Sequence, residues 1–180
     1  MLILMFAIGP LIAMTGCGSG DSNPNGGNPK PWTVWFSNPS EYATNDLRVA
    51  QRETPFGIVI PSYVPQDFSQ FPVIQGRAKN QFDDHEPVTI TYERKGNSPL
   101  QIREFNMIMA ESLSGNTTQL NYDGTAVTEG EDTTLLFQKT GIVPVSSLSY
   151  AWNKNGIHFS VTVDDYQRDE VRQVIESMVK

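Results

Sequence analysis

The sequence has one cysteine among its 180 residues, so no disulfide can form within the chain and a zinc site built on several cysteines is excluded. Basic side chains are also scarce, with 13 lysines and arginines against 20 aspartates and glutamates, and the formal net charge is −7. Nucleic-acid-binding surfaces need clustered positive charge, so this balance argues against nucleic acid as a partner. The hydrophobic content of 38% is sufficient for one packed core in a chain of this length.

Charge is missing altogether from residues 1–16. The run from Leu2 to Ala13 is apolar except for Gly9 and Pro10, and it is shorter than the ~20 residues that a membrane-spanning helix needs. Its length suits the hydrophobic region of a secretory signal peptide, which is roughly 7–15 residues long. The sequence therefore predicts a signal peptide over residues 1–16.

Small residues precede Cys17, and Met14-Thr15-Gly16-Cys17 resembles the lipobox of bacterial lipoproteins, with Met14 where that family usually has leucine. The resemblance implies cleavage before Cys17 and a diacylglyceryl group, with palmitate, on that cysteine. It also implies a location on the cell membrane or envelope, with the rest of the chain outside the cytoplasm. The alternative is a buried structural cysteine in an N-terminal helix, but the glycines and the proline of this segment suit a helix interior poorly.

Residues 18–31 contain only Gly, Ser, Asp, Asn, Pro and Lys, so they contribute nothing to a core. This composition predicts a flexible linker that, together with Cys17, spans residues 17–31 and precedes a single domain over residues 32–180. Trp32, Trp35 and Phe36 begin that domain. They are expected to pack on its core or, as the alternative, to contact the membrane interface, where Trp is enriched.

Alternation of apolar and polar residues predicts a mainly β domain. The clearest hairpin joins residues 147–152 to residues 157–163 through a turn ending in Asn155-Gly156, a pair that accepts positive φ. A second hairpin is predicted between Val88–Tyr92 and Leu100–Met109, with a bulge near Glu104 and a turn at residues 96–99. Further strands are predicted at residues 56–60 and 133–139.

Two helices are predicted, one of them over residues 40–51. At the C-terminus, Asp164 or Asp165 is expected to cap a helix whose apolar residues recur at helical spacing, namely Val171, Val174, Ile175 and Met178. Its opposite side, which includes Arg168 and Arg172, is expected to face water. The expected fold class is α+β, an antiparallel and curved sheet with the C-terminal amphipathic helix packed on one face.

Several of these segments together resemble an uncharacterised bacterial extracytoplasmic domain. They are Phe56–Pro65 (FGIVIPSYVP), the tyrosine-bearing strand Val88–Arg94, the hairpin Ser149–Phe159, and the helix Asp165–Val179 with Ser177 near its end. The resemblance covers residues 54–180, and similar domains are attached to membrane-anchored proteins that include some anti-sigma factors and lipoproteins. It implies an α+β fold and an envelope location, and it supplies no catalytic residues.

The densest set of potential metal ligands is Asp83, Asp84, His85 and Glu86. Carboxylates suit calcium or magnesium, and histidine with a carboxylate suits zinc. Four consecutive side chains diverge, however, and the run lies just before Pro87 at the mouth of a strand. A solvated turn is therefore favoured over a cation site, and no cofactor is predicted. A cation-dependent hydrolase at these residues is the enzymatic alternative.

Two other sets of polar residues are not expected to be catalytic. Residues 121–132 are expected to form a solvated acidic loop, since Asp123, Glu129, Glu131 and Asp132 do not follow the spacing of a calcium loop. His158 and Ser160 share one strand face, but this spacing separates their Cβ atoms by ~7 Å, and no nucleophile elbow surrounds any serine. No catalytic residue is predicted.

Tyr92, Tyr150, Trp152 and Phe159 are expected to cluster on the sheet, as plain core or as the lining of a groove for an apolar ligand. The predicted function is non-enzymatic: a membrane-anchored bacterial lipoprotein that displays one extracytoplasmic binding or envelope-sensing domain. The alternative is a carrier or sensor of lipid or acyl chains that uses the concave sheet face. The predicted partners are the membrane, through Cys17, and an envelope protein or a small ligand.

Overall fold

The computed structural model describes residues 29–36, 40–110, 113, 115–138 and 141–180, and for residues 134–138 and 141–144 it describes the backbone alone. Within these ranges lie the helices α1 (Leu47–Glu53) and α2 (Arg168–Val179) and a 3₁₀ turn at Lys79–Gln81. The strands are β1 (Thr33–Trp35), β2 (Glu41–Thr44), β3 (Val73–Arg77), β4 (Val88–Arg94), β5 (Asn97–Phe105), β6 (Asn116–Tyr122), β7 (Thr125–Gln138), β8 (Gly141–Lys154) and β9 (Ile157–Asp164).

The strands form one nine-stranded sheet in the order β1-β2-β3-β4-β5-β9-β8-β7-β6. Every neighbouring pair is antiparallel, and most neighbours are also consecutive in the chain. The exception is β9, which lies between β5 and β8. The predicted fold class is confirmed: an antiparallel sheet with a C-terminal helix, of the α+β type.

One face of the sheet carries the core. Directly opposite residues of antiparallel strands point to the same face, so the partners Val88–Glu104–Phe159–Trp152 form one row across β4, β5, β9 and β8. Helix α2 packs on this face, as predicted. Its buried stripe consists of residues no more than 5% exposed, which are Val171, Val174, Ile175, Met178 and Val179.

The helix predicted over residues 40–51 is wrong in its first half, where Glu41–Thr44 form β2. Helix α1 begins only at Leu47, because the Asp46 carboxylate accepts the N–H of Arg48 at 2.9 Å and so caps the helix. Tyr42 lies on the core face of β2, and its hydroxyl donates to the Ala50 carbonyl at 3.4 Å. Helix α1 therefore covers the same face of the sheet as α2.

Neither of the predicted aspartates caps α2. Gln167 holds the N-cap position and makes no side-chain hydrogen bond there. Arg94 fixes this junction instead: its guanidinium donates to the Asp164 carbonyl at 3.1 Å and lies 5.2 Å and 4.8 Å from the ring centroids of Phe68 and Tyr166.

The two predicted hairpins are confirmed. In β8–β9 the turn residues Asn155 and Gly156 have φ values of 53° and 82°, which is the reason for Asn-Gly at this place. In β4–β5 the turn is tighter than predicted, because β5 already begins at Asn97. The bulge predicted near Glu104 is wrong: the register shifts between Tyr92 and Arg94 instead, and Glu104 stays in the ladder.

Two further predictions of local structure are wrong. Residues 56–60 form no strand and cross the core face without a ladder. Residues 121–132, predicted as a solvated loop, contain the β6–β7 turn and eight residues of β7. The pairing of β8 with β9 ends at Ser147 and Asp164. Beyond this point β7 and β8 still pair with each other, from Thr133–Ser146 to Gln138–Gly141, and so form a two-stranded arm.

No helix within the described ranges is long and apolar enough to cross a membrane.

Candidate functional site: the core face and its cover

The four aromatic residues predicted as a ligand face lie together on the core face. Tyr92, Tyr150, Trp152 and Phe159 are at most 3% exposed, and the rings of Trp152 and Phe159 stack at 4.9 Å with an interplanar angle of 7°. The indole N–H of Trp152 is buried and has no hydrogen-bond partner within the described part of the chain. An apolar ligand reaches these rings only if the segments that cover them move.

The cover nearest to α1 is the segment Phe56–Pro65, here called the strap. It holds several half-buried apolar side chains against the core, which are Phe56, Ile58, Val59, Ile60 and Val64. Pro61 and Pro65 lack N–H groups, and this favours an extended segment over a ladder strand. The strap is therefore attached by side-chain packing and by a small number of side-chain hydrogen bonds.

Three side chains hold the strap to the rest of the domain. Gln51 of α1 donates to the Phe56 carbonyl at 2.7 Å and accepts the N–H of Ile58 at 2.9 Å. The N–H of Tyr63 donates to the Ser177 hydroxyl of α2 at 3.3 Å. The strap and the serine of α2 are both parts of the resemblance described above, and in the structure they contact each other.

The third attachment is Glu104, which the sequence analysis did not identify as a buried group. Its side chain is fully buried on the core face of β5, and its two carboxyl oxygens accept the N–H of Val59 at 3.1 and 3.2 Å. Burial raises the pKa of Glu104 to about 8, and the hydrogen bond from Val59 opposes only part of this effect. At neutral pH the carboxyl group is therefore mostly protonated.

A second buried glutamate lies in β7. Glu129 was expected in a solvated loop, but it is 3% exposed and accepts two hydrogen bonds from Arg172 of α2, at 2.7 and 2.8 Å. Arg168 is 3.6 Å from the same carboxylate. Burial alone raises the pKa of Glu129, but the hydrogen bonds and positive charge of Arg172 outweigh it and the pKa is lowered. Arg172, expected to face water, is thus half-buried in an ion pair.

The Tyr150 hydroxyl lies beside this ion pair. Burial and the neighbouring Glu129 carboxylate raise the pKa of Tyr150, so the phenol stays neutral throughout the physiological range. The core face therefore contains one neutral carboxyl group, one ionised carboxylate and a set of neutral aromatic groups.

The four residues considered as metal ligands, Asp83 to Glu86, do not converge on one point. The Asp83 carboxylate accepts the N–H of His85 at 2.9 Å, Asp84 accepts the Asn106 side chain at 2.6 Å, and Glu86 pairs with Arg77 at 2.7 Å. No group of three metal-ligating side chains converges within the ranges that the structure describes.

Glu86 and Arg77 also line a groove on the outer side of the sheet near its β1 end. The groove measures about 430 Å³, and its other lining side chains include Phe36, Glu41, Gln75 and Thr89. Arg77 crosses it between Glu86 and Glu41, which lies 3.5 Å away. Arg77 is already paired with both glutamates of the groove. The groove therefore has no uncompensated positive charge that could bind an anionic ligand.

His158 and Ser160 lie on the outer face of β9, away from the buried carboxyl groups. The Nδ1 atom of His158 is 3.0 Å from the Asn153 side-chain oxygen, and its ring lies 5.9 Å from that of Phe105. Asn153 in turn bonds both backbone groups of Met109, so His158 is covered by the segment that follows β5. Cys17 lies outside the described residues.

No curated protein and no solved structure matches this chain. A family model described as a domain of unknown function (DUF4367) matches residues 58–178, about two thirds of the chain. The match begins within the strap and ends in the last turn of α2, so it contains Glu104, Glu129 and the four aromatic residues. The chain belongs to the DUF4367 family.

Proposed function

We propose that this chain is a bacterial lipoprotein, anchored through Cys17, that displays its DUF4367 domain outside the cytoplasm as a non-enzymatic binding or envelope-sensing module. The order of segments along the chain carries this proposal. An uncharged apolar run ends at Met14-Thr15-Gly16-Cys17, and fourteen polar, glycine-rich and proline-rich residues then lead to β1. A lipid-anchored domain needs an anchor and a spacer in this order.

The domain itself supports a binding or sensing role through its cover. The strap is attached by the hydrogen bond that Gln51 donates to it and by those that Glu104 and Ser177 accept from its N–H groups, while the sheet below it is joined by continuous ladders. Local opening starts where few bonds must break, so the strap is the segment that a ligand or partner displaces at the lowest cost. Its displacement uncovers apolar surface next to Glu104.

The anchor is tested by expressing residues 1–180 in a bacterium and partitioning the membranes with a phase-separating detergent. The wild-type chain is expected in the detergent phase, cut before residue 17 and with an acyl group in its intact mass, whereas Cys17→Ala is expected to lack the acyl group and to keep its apolar leader. Ser19→Ala, two residues away in the same spacer, is the matched control and is expected to behave as wild type. A wild-type chain that enters the detergent phase without an acyl group, or that keeps residues 1–16, contradicts the proposal.

A second candidate is a carrier or sensor of acyl chains, favoured by the indole N–H of Trp152, which has no hydrogen-bond partner among the described residues and lies beside buried aromatic rings. A neutral Glu104 adds a buried hydrogen-bonding group that carries no charge to repel a fatty acid. The test uses Trp32→Phe/Trp35→Phe, which leaves Trp152 as the only tryptophan in the chain. A saturable change of Trp152 emission with added fatty acid supports the carrier, and an unchanged spectrum excludes it.

A further inference from the structure

We infer that the β1 edge of the sheet rests on the lipid bilayer to which the chain is anchored. This edge, here called the aromatic edge, consists of Trp32, Val34, Trp35 and Phe36. The inference extends the proposed function, because it uses the anchor at Cys17 to bring the edge to the membrane.

The aromatic edge is exposed although it is apolar. The exposed fractions are 40% for Trp32, 48% for Val34, 44% for Trp35 and 38% for Phe36. Single exposed apolar residues are ordinary on protein surfaces, whereas four in a stretch of five residues concentrate apolar exposure at one edge of the sheet, which indicates a contact surface.

The patch also breaks the usual pattern of an edge strand. Trp35 lies opposite Tyr42 on the core face, with ring centroids 5.7 Å apart, while Val34 lies opposite Ala43 on the outer face. Each face of β1 thus carries an exposed apolar side chain, and its far side pairs with no other strand of the described sheet. Soluble sheets protect their edges with charged side chains or proline, so a bare apolar edge indicates a covering surface.

The position of the anchor identifies that surface as lipid. Residues 18–31 separate Cys17 from Trp32, and a flexible linker of fourteen residues spans roughly 20 Å. The aromatic edge is therefore the first folded part of the chain that the anchor brings to the headgroups. Tryptophan is enriched at this level of a bilayer, where its ring meets apolar chains and its N–H meets water.

Charge favours the same orientation. Residues 29–36 carry no acidic side chain, and Lys30 is their one charged residue, whereas the whole chain has a net charge of −7. The acidic residues that follow this stretch, Glu41 on β2 and Asp46 before α1, are paired with Arg77 at 3.5 Å and Arg48 at 2.9 Å, so little uncompensated negative charge lies at this edge. An anionic leaflet repels the rest of the domain more than it repels this edge.

The contact is tested with the lipidated chain in phosphatidylcholine vesicles whose acyl chains carry bromine, which quenches nearby tryptophan. Wild-type emission is expected to fall severalfold more than that of Trp32→Phe/Trp35→Phe, in which only the fully buried Trp152 emits. Intact mass confirms the acyl group in each preparation. If the lipidated wild type is not quenched, the inference is overturned while the anchor stands.

The same contact is tested without the anchor on residues 17–180 carrying Cys17→Ala, so that neither an acyl group nor the apolar leader contributes to vesicle binding. Trp32→Ser/Trp35→Ser/Phe36→Ser in this background is expected to lower co-sedimentation with unbrominated vesicles about tenfold, the factor given by ~1.4 kcal/mol of lost contact energy. Leu47→Ser/Phe71→Ser/Ile108→Ser is the matched control, because these three apolar side chains are at least as exposed, at 42%, 41% and 69%, on other segments. Equal loss in both variants overturns the inference.

Two further outcomes separate the inference from the proposed function. If no acyl group is found but the Cys17→Ala chain still binds vesicles through the aromatic edge, the anchor is wrong and the membrane contact holds. If the chain instead forms a dimer that Trp32→Ser disrupts, and vesicles do not quench it, a second copy covers β1 and the inference is overturned. Thermal melting of every variant verifies that the domain is folded.

Discussion

Glu104 and Glu129 are two glutamates on the same face of the same sheet, and the structure treats them in opposite ways. Glu104 has one backbone N–H as its hydrogen-bond partner, and burial raises its pKa to about 8. Glu129 is almost as buried, but Arg172 gives it two hydrogen bonds and a compensating charge, and its pKa is lowered. Burial alone therefore does not determine the protonation state of a carboxyl group. Its partners do.

The difference also separates two parts of the domain. Glu129 joins β7 to α2 through side chains alone, and an ionised pair of this kind stays closed at neutral pH. Glu104 joins β5 to the strap, and it does so as a neutral group that ionises at moderately higher pH. The carboxyl group whose protonation affects the stability of the core is thus the one that lies under the strap.

The largest expected effect is the response of Glu104 to pH. Its pKa rises from the ordinary glutamate value of 4.5 to about 8 on folding, so its contribution to stability is complete below pH 4.5 and is lost as the pH rises through 8. The free energy of unfolding is expected to fall by on the order of 4 kcal/mol between pH 5 and pH 8, at ~1.36 kcal/mol per unit. Urea unfolding at intervals of one pH unit measures this slope.

The control for this slope is Glu104→Gln, which keeps an oxygen for the Val59 N–H but cannot ionise. This variant is expected to lose the decline above pH 5. Glu129→Gln is the matched change at the other buried glutamate, and it should leave the decline in place, since a lowered pKa affects stability only as the pH falls below 4.5. A wild-type slope that survives Glu104→Gln contradicts the assignment.

The next largest effect is expected from Arg172→Met, which makes Glu129 resemble Glu104. The variant leaves a buried carboxylate with Arg168 at 3.6 Å as its remaining cation. We expect a loss of about 3 kcal/mol in the free energy of unfolding, because removing one partner leaves a charge buried without compensation. The pKa of Glu129 should also rise, so that the loss becomes smaller at low pH.

Two further variants check the cause of that loss. Adding Glu129→Gln to Arg172→Met is expected to restore part of the stability, because no charge then remains to be neutralised. Lys180→Met breaks the exposed pair with Glu176 at the end of the same helix and should cost far less stability, because water screens it. Equal losses of stability in Arg172→Met and Lys180→Met would contradict the larger contribution assigned to the buried pair between Arg172 and Glu129.

The smallest effect is expected from loosening the strap. Ser177→Ala removes the hydroxyl that accepts the Tyr63 N–H, which is worth about 0.5–1 kcal/mol. The amide protons of residues 57–60 and 62–64 should exchange severalfold faster, and the pKa of Glu104 should fall slightly because water reaches it more often. Ser62→Ala, on the strap itself and exposed, is the control and should leave both unchanged. Unaltered exchange in Ser177→Ala contradicts the strap's dependence on α2.

The parts of the fold that local periodicity specifies could be predicted from the sequence. The stripe of α2 repeats at helical spacing, and Asn155-Gly156 requires positive φ, so that helix and the β8–β9 hairpin follow from short segments. Residues 56–60 have the composition of a strand, but whether an apolar segment joins a ladder or crosses a sheet depends on distant partners. The two prolines of the strap were the available signal for the second outcome.

The buried glutamates could not be assigned in the same way. Alternation through Leu100 and Ile102 places Glu104 on the apolar face, where a charged carboxylate is unfavourable. The sequence analysis predicted a bulge there, whereas the protein keeps the strand regular and neutralises the carboxyl group. Glu129 sits in an acidic run that suggests solvent, and its partner Arg172 lies 43 residues away on α2. Contacts of such separation follow from tertiary packing, which one sequence does not encode in any local pattern.

The proposal that the domain is displayed from a membrane depends above all on residue 17. Its most direct test is the intact mass of the chain expressed from residue 1 in a bacterium, with Cys17→Ala measured beside it. The expected mass is that of residues 17–180 plus a diacylglyceryl group on the single cysteine, and the variant should carry no lipid. An unprocessed chain, or a cleaved one without lipid, would contradict the anchor on which the proposed function rests.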